Sequence, residues 1–204
     1  VDFPLKWKKI KEVIPNTAMI DTSVIKYKNK WWMFYSLPGK NGRALKEMYI
    51  AYSDSLLGEW KLHSNNPVSN DIELSRPGGR PFILNNLIHL PVQNSKKTYG
   101  GQVNILKLSK LTQNDFKAIK INTIKSNLHS IFSDGLHTVS GCGDVTLIDC
   151  KKHDFSKTYG NCCHALVNQG GTLCWVGVQT KLWRWDTVAL RATCHPRDRS
   201  RRQR

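Results

Sequence analysis

No cysteine occurs in the first 141 of the 204 residues; all six lie between Cys142 and Cys194. A small disulfide-stapled domain spreads its cysteines through its fold, so the first two thirds of the chain are not of that class. No Cys-x-x-Cys occurs either. Cys142, Cys150 and the adjacent Cys162 and Cys163, with His153 and His164, offer zinc-ligating groups without zinc-site spacing, so neither metal nor cofactor is expected. No apolar run approaches the ~20 residues that cross a bilayer. No Asn-x-Ser/Thr acceptor is present, so glycosylation gives no hint of secretion. Val1 rather than Met opens the chain and no signal peptide precedes it, so a fragment or processed product is expected.

Acidic residues are also scarce: 15 Asp and Glu against 31 Lys and Arg give a formal net charge of +16. Such an excess invites an anionic partner, nucleic acid or membrane. The lysines are scattered among candidate strands and not gathered on one face, which favours a solvated surface and makes nucleic acid an unlikely partner. Twenty of the 21 Lys precede residue 160, whereas seven of the ten Arg follow it. The end, from Arg197 to Arg204, reads as a disordered basic tail. A tail of this kind could touch RNA or acidic lipid; the solvated reading is preferred.

What the chain does have is 40% apolar residues and seven tryptophans, enough for a real core. Their order is strand-like throughout, with no convincing helix. Val24, Ile25 and Tyr27, the polar Lys28-Asn29-Lys30, then Trp31, Trp32, Phe34 and Tyr35 read as a β-hairpin with Asp21 at its mouth. Residues 7–14 alternate well enough for a preceding strand, ended by Pro15-Asn16. Residues 37–42 form a turn-rich loop, and 47–53 and 60–63 supply third and fourth strands. Four short antiparallel strands with brief connections are the sequence appearance of one propeller blade.

The unit then recurs. Residues 80–84 and 87–92 flank an Asn85-Asn86 turn, with further strands at 102–108 and 116–121; a third start spans 137–140 and 145–148. Asp21, Gly79 and His137 fall at successive intervals of 58 positions, the mark of stacked supersecondary units. Residues 165–167 and 173–176 could add one hairpin, off this period. The expected fold is therefore all-β: an incomplete β-propeller of about two and a half four-stranded antiparallel blades over residues 1–158, followed by an unrelated or disordered basic tail over 159–204.

In a propeller the first strand of each blade lines the central channel, so residues distant in sequence meet at one rim. The polar residues at that position are Asp21, then Arg76 to Arg80, then Asp134 to His137. Carboxylates that accept hydroxyl protons, guanidinium forks and an imidazole together suit a sugar or an anion. Ser75-Arg76-Pro77-Gly78-Gly79-Arg80 is the most distinctive string, either a clamp or a glycine-rich connection with paired arginines.

The strings 21–35, 51–60, 75–80, 97–102 and 134–137 resemble the five-bladed propellers of arabinanase-, levansucrase- and invertase-type glycosidases. They are closer still to the glycosidase-like N-terminal domain of glucosamine inositolphosphorylceramide transferases, over about residues 3–152. The resemblance implies a carbohydrate-handling module related to a sphingolipid glycosyltransferase, with Golgi or endomembrane residence, and further blades or a transferase domain as partners. It casts Asp21 as an aspartate of the catalytic set, with Glu73 the nearest candidate for the acid. It casts Arg76, Arg80, Gln93, Tyr99, Asp134 and His137 as contacts to a carbohydrate or glycolipid head group. Arginines stand where the acid should be, and hydrolysis needs two carboxyl groups, one protonated. A non-catalytic module is therefore expected. The alternatives are an active glycosidase using Asp21 and Glu73, or a basic nucleic-acid or anionic-lipid binder acting through the tail.

Overall fold

A computed structural model describes residues 8–39, 46–126, 133–142, 145–152, 161–168 and 173–179. Thirteen strands and no helix occur among them. The first sheet contains β1 (Ile20–Tyr27), β2 (Lys30–Ser36), β3 (Tyr49–Ser53) and β4 (Lys61–Leu62), side by side in chain order and antiparallel throughout. The second is ordered β5 (Arg76–Pro77), β7 (Leu87–Asn94), β8 (Gln102–Leu111) and β9 (Phe116–Lys125). β6 (Phe82–Leu84) also pairs with β7, so β5 and β6 are two halves of one first strand, broken at residues 78–81. The third sheet holds β10 (Val139–Cys142), β11 (Val145–Lys152), β12 (Asn161–Asn168) and β13 (Leu173–Gln179).

This is an incomplete β-propeller: up-and-down sheets whose first strands meet at the centre. Ser23 on β1 donates its hydroxyl to the Gly79 carbonyl at 2.8 Å, and the Val139 amide on β10 donates to the Gly78 carbonyl at 2.8 Å. Gly79 has φ +132, and a Cβ there would stand 1.9 Å from the Val139 oxygen. Only glycine admits three first strands at this spacing.

Turn chemistry fixes the hairpins. Lys28 and Asn29 (φ 48 and 61) and Asn85 and Asn86 (φ 50 and 57) are both two-residue turns in the left-handed region, the type whose twist matches paired strands. The aromatic run of β2 is buried on both faces. Trp32 and Phe34 join Met48, Ile50, Ile88, Leu90, Val92, Leu106 and Leu108 between the first and second sheets. Met33 and Tyr35 pack with Ala51 and Trp60 on the other side. A smaller cluster, Val103, Ile105 and Leu136, joins the second sheet to the segment that leads into the third.

One sequence reading changes. Residues 8–14 form no strand; Val13 and Ile14 instead pack against the Met33–Trp60 cluster without ladder bonds. Alternation alone cannot make a strand that has no partner edge. The off-period hairpin near 165–176 is present as β12 and β13, and it pairs with β11 to fill out the third sheet. The division drawn at residue 158 thus runs between two strands of one sheet. The basic tail lies outside the described residues, as do residue 7 of the expected first strand and residues 40–42 of the expected loop.

Candidate functional site

The register of β1 slips between Ile20 and Ser23, and within that bulge Asp21 has φ 54. Bulges re-aim a side chain, and a non-glycine residue in the left-handed region is a local strain held by its surroundings. Here the surroundings are Arg76. Its Nη2 and Nε lie 2.5 and 2.7 Å from Asp21 Oδ2. Both contacts fall on one oxygen, and Oδ1 has no hydrogen-bond partner among the described residues. Asp21 is thereby held between the first and second sheets.

The contacts continue from there. The Arg76 guanidinium lies 5.4 Å from the Tyr99 ring centroid, in cation–π range. Tyr99, 57% exposed, meets the His137 ring at 5.5 Å and 57°. His137 Nδ1 in turn contacts Asp149 Oδ2. Asp149 on β11 is 1% exposed, and its Oδ1 accepts the backbone amides of His137 (2.9 Å) and Thr138 (2.7 Å). Burial pushes the Asp149 carboxyl up, but the His137 hydrogen bond and charge, with those two amides, outweigh it and hold it below the ordinary value. A carboxylate accepts only, so the Nδ1 facing it carries a proton; Nε2 has no partner among the described residues.

The glycine strings explain how Tyr99 and His137 come together. Gly135 has φ +148, and a Cβ on it would sit 2.0 Å from the Gly100 carbonyl oxygen. The loop carrying Tyr99 therefore lies directly against the segment carrying His137. Lys151 on β11 clamps the same junction, donating to Thr98 Oγ1 at 3.2 Å and to the Tyr99 carbonyl.

Beside Asp21 opens a cavity of about 350 Å³, lined by residues of all three first strands: Asp21, Thr22 and Ser23, then Pro77, Gly79 and Arg80, then Thr138 and Ser140. Arg80 reaches it separately from Arg76; its amide donates to Ser140 Oγ at 3.1 Å, and no carboxylate pairs with its side chain among the described residues. A larger apolar cleft of about 1050 Å³ adjoins it, sharing Val24, Arg80 and Pro81.

The other expected residues stand elsewhere. Gln93 is buried opposite Arg76 in the β5–β7 register, and its Nε2 donates to the Pro77 carbonyl at 2.8 Å, a strand-anchoring role. The Asp134 amide donates to the Lys151 carbonyl at 2.9 Å. Glu73 keeps to the second sheet: Lys96 Nζ lies 2.6 Å from Oε1, and Asn94 Nδ2 donates to Oε2 at 3.2 Å. The Lys96 hydrogen bond and charge hold its carboxyl below the ordinary value despite some desolvation. A general acid requires the opposite shift. No group of three metal-ligating side chains occurs among the described residues. Asp149 is the residue that sequence reasoning missed; its one signal is an acid inside the otherwise uncharged Val145–Cys150 stretch.

Comparison with known proteins places the chain in a family. Rice (Oryza sativa subsp. indica) glucosamine inositolphosphorylceramide transferase 1 is 37% identical over 123 residues, covering 59% of this chain and 16% of that protein. The Arabidopsis thaliana protein of the same name is 27% identical over 124 residues, with the same coverage. The chain thus spans about a sixth of the length of these relatives. Among solved structures, an α-L-arabinofuranosidase from Clostridium thermocellum aligns at TM-score 0.44 and 18% identity, over 77% of this chain and 50% of that one. An endo-arabinanase from Bacillus licheniformis aligns at TM-score 0.47 and 12% identity, over 79% and 59%. The family described as "Glucosamine inositolphosphorylceramide transferase 1, N-terminal" matches residues 1–132, and the chain belongs to that family.

Proposed function

We propose that this chain is a carbohydrate-binding propeller module that does not cleave glycosidic bonds. One observation carries the reading: both candidate catalytic carboxylates are ion-paired with cations. Asp21 is tied to Arg76, and Lys96 holds Glu73, the candidate acid, below the ordinary carboxylate range, the opposite of the shift that a protonated partner in glycoside hydrolysis requires. What remains is a recognition surface. Asp21 Oδ1 accepts sugar hydroxyls, Arg80 and the Thr22 and Ser140 hydroxyls donate to ring and hydroxyl oxygens, and the exposed Tyr99 ring gives a flat face for a pyranose. A cavity of about 350 Å³ is of a size for one sugar residue, free or as the head of a glycolipid. The relatives' name, a transferase of an inositol-bearing lipid, supports a sugar or inositol ligand.

Titration calorimetry with monosaccharides and inositol phosphates, alongside an aryl-glycoside assay, tests this. Binding without turnover is expected. Arg76→Gln should weaken binding at least tenfold, about 1.4 kcal/mol, because it releases both Asp21 and the Tyr99 ring. Aryl-glycoside turnover abolished by Asp21→Asn would overturn the proposal.

A further inference from the structure

The end of the molecule opposite Asp21 and Arg76 has a composition that the candidate site does not explain. Three turns lie at the far ends of their strands: 28–29 after β1, 54–58 after β3, and 85–86 after β6. They form one connected surface. Tyr27 Oη donates to the Asn86 carbonyl at 2.8 Å, joining the first and third turns, and Lys30 pairs with Asp54 at 2.5 Å, joining the first and second. Leu56, Leu57 and Leu84 stand on this surface at 43%, 53% and 53% exposure. Lys11 sits directly behind the leucines, its Nζ donating to the Leu57 and Gly58 carbonyls at 2.8 and 2.9 Å. Lys26 and Lys28 are exposed beside the first turn. Asp54 is neutralised by Lys30, which leaves Glu59 as the remaining carboxylate of the second turn region.

We propose that this face docks on an anionic lipid bilayer, with the leucine-bearing turns entering the headgroup boundary and the lysines contacting lipid phosphates. Exposed leucines at turn tips with a collar of lysines match both requirements of peripheral membrane attachment, apolar area and positive charge. A nucleic acid gains nothing from leucines, and Lys11, Lys26 and Lys28 act as point charges with no arginine fork among them. The proposal does not depend on the sugar-binding reading. It has a consequence for it: docked this way, the Asp21–His137 rim faces away from the membrane, towards ligands from solvent.

Flotation of the full chain with phosphatidylcholine vesicles, with and without about 30 mol % phosphatidylserine, provides the test. Binding is expected only with the anionic lipid. Leu56→Ser/Leu57→Ser should lower partitioning about tenfold at constant charge, since each leucine contributes burial. Lys26→Glu/Lys28→Glu should lower it by at least as much. Lys120→Glu/Lys125→Glu on β9, an equal charge change away from the turns, should lower it less. Thermal unfolding of each variant confirms that the exposed changes leave the fold intact. An unchanged partition for the leucine pair, an equal loss for the β9 pair, or duplex RNA binding that the turn lysines alone govern would each overturn the proposal.

Discussion

The junction between the first and second sheets and the junction between the second and third are built differently. The first is a dry apolar seam: nine buried side chains interdigitate, Phe34, Met48, Ile50 and Leu90 with no exposed surface. The second has three buried apolar residues, and beyond them the adjoining cleft of about 1050 Å³ leaves Ile83 and Ile121 on its walls half exposed. It is joined instead by backbone approach at Gly78–Val139 and Gly100–Gly135, and by Lys151, which donates to Thr98 and the Tyr99 carbonyl. Apolar burial tolerates small shifts; hydrogen bonds between backbones at van der Waals contact do not. The apolar junction holds the molecule together, and the polar one holds side chains in position, which is where Tyr99 and His137 meet.

Core truncation should expose this difference most strongly. Phe34→Ala leaves a cavity in the first seam and is expected to cost about 3–5 kcal/mol. Leu136→Ala, in the thin second cluster, should cost less, because the adjoining cleft lets neighbours relax. Urea denaturation of both variants measures the gap. Equal losses would mean that the two junctions carry the same load.

Gly79→Ala attacks the second junction at the point where its backbones meet. The added methyl meets the Val139 carbonyl, and φ +132 is strained for any other residue, so a loss of about 3 kcal/mol is expected. Hydrogen exchange should accelerate at the Val139 amide while the amides of β2 and β3 stay protected. Uniform acceleration would place Gly79 in a single cooperative unit with the first seam.

Asp149, which holds the segment carrying His137, gives the second junction a pH dependence. Its carboxyl is held below the ordinary value in the folded chain, so the stabilisation it brings is complete above the unfolded value of about 3.9. It drains away as pH falls through the folded value. Asp149→Asn should cost about 1–3 kcal/mol at neutral pH, by leaving His137 Nδ1 and two amides with a poorer acceptor. It should also flatten the fall in stability below about pH 4. A variant that keeps the wild-type acid profile would assign that profile to other carboxylates.

The first seam was legible in the sequence and the second was not, for physical reasons. Trp32, Phe34, Ile88 and Leu90 announce themselves as apolar strand residues, and Lys28-Asn29 and Asn85-Asn86 mark their turns by local conformational preference. Pairing of those strands follows from chain order. The string at 75–80 stood out as glycine-rich, and those at 97–102 and 134–137 stood out by resemblance, but what each glycine admits is another string far away in the chain. Nothing local says that Gly135 accommodates Gly100, or that Gly79 accommodates Val139. Asp21 was visible as an acid at a strand mouth, yet the bulge that aims it is a tertiary result. Asp149 was hidden, because an acid in an otherwise uncharged stretch is unusual only once His137 and two amides are seen around it. Residues 8–14 misled in the opposite direction, since their alternation was real but no strand edge was there to receive them.

Glu73→Gln should have the smallest effect, and it tests whether the site belongs to the junctions at all. Among the described residues, the partners of Glu73 lie within the second sheet or the loops beside it: Lys96, Asn94, Asn104 through the Glu73 backbone carbonyl and Asp71 through the Glu73 amide. The Lys96 side chain is 67% exposed, and solvent screens such a pair. Removing the charge should leave the urea midpoint unchanged and sugar binding within about twofold of wild type, whereas Arg76→Gln at the junction weakens binding at least tenfold. The amide of glutamine still accepts from Asn94, so the loop keeps its shape and a null result is not a folding artefact. A loss of binding in Glu73→Gln comparable to that in Arg76→Gln would move the ligand off the junctions and onto the second sheet.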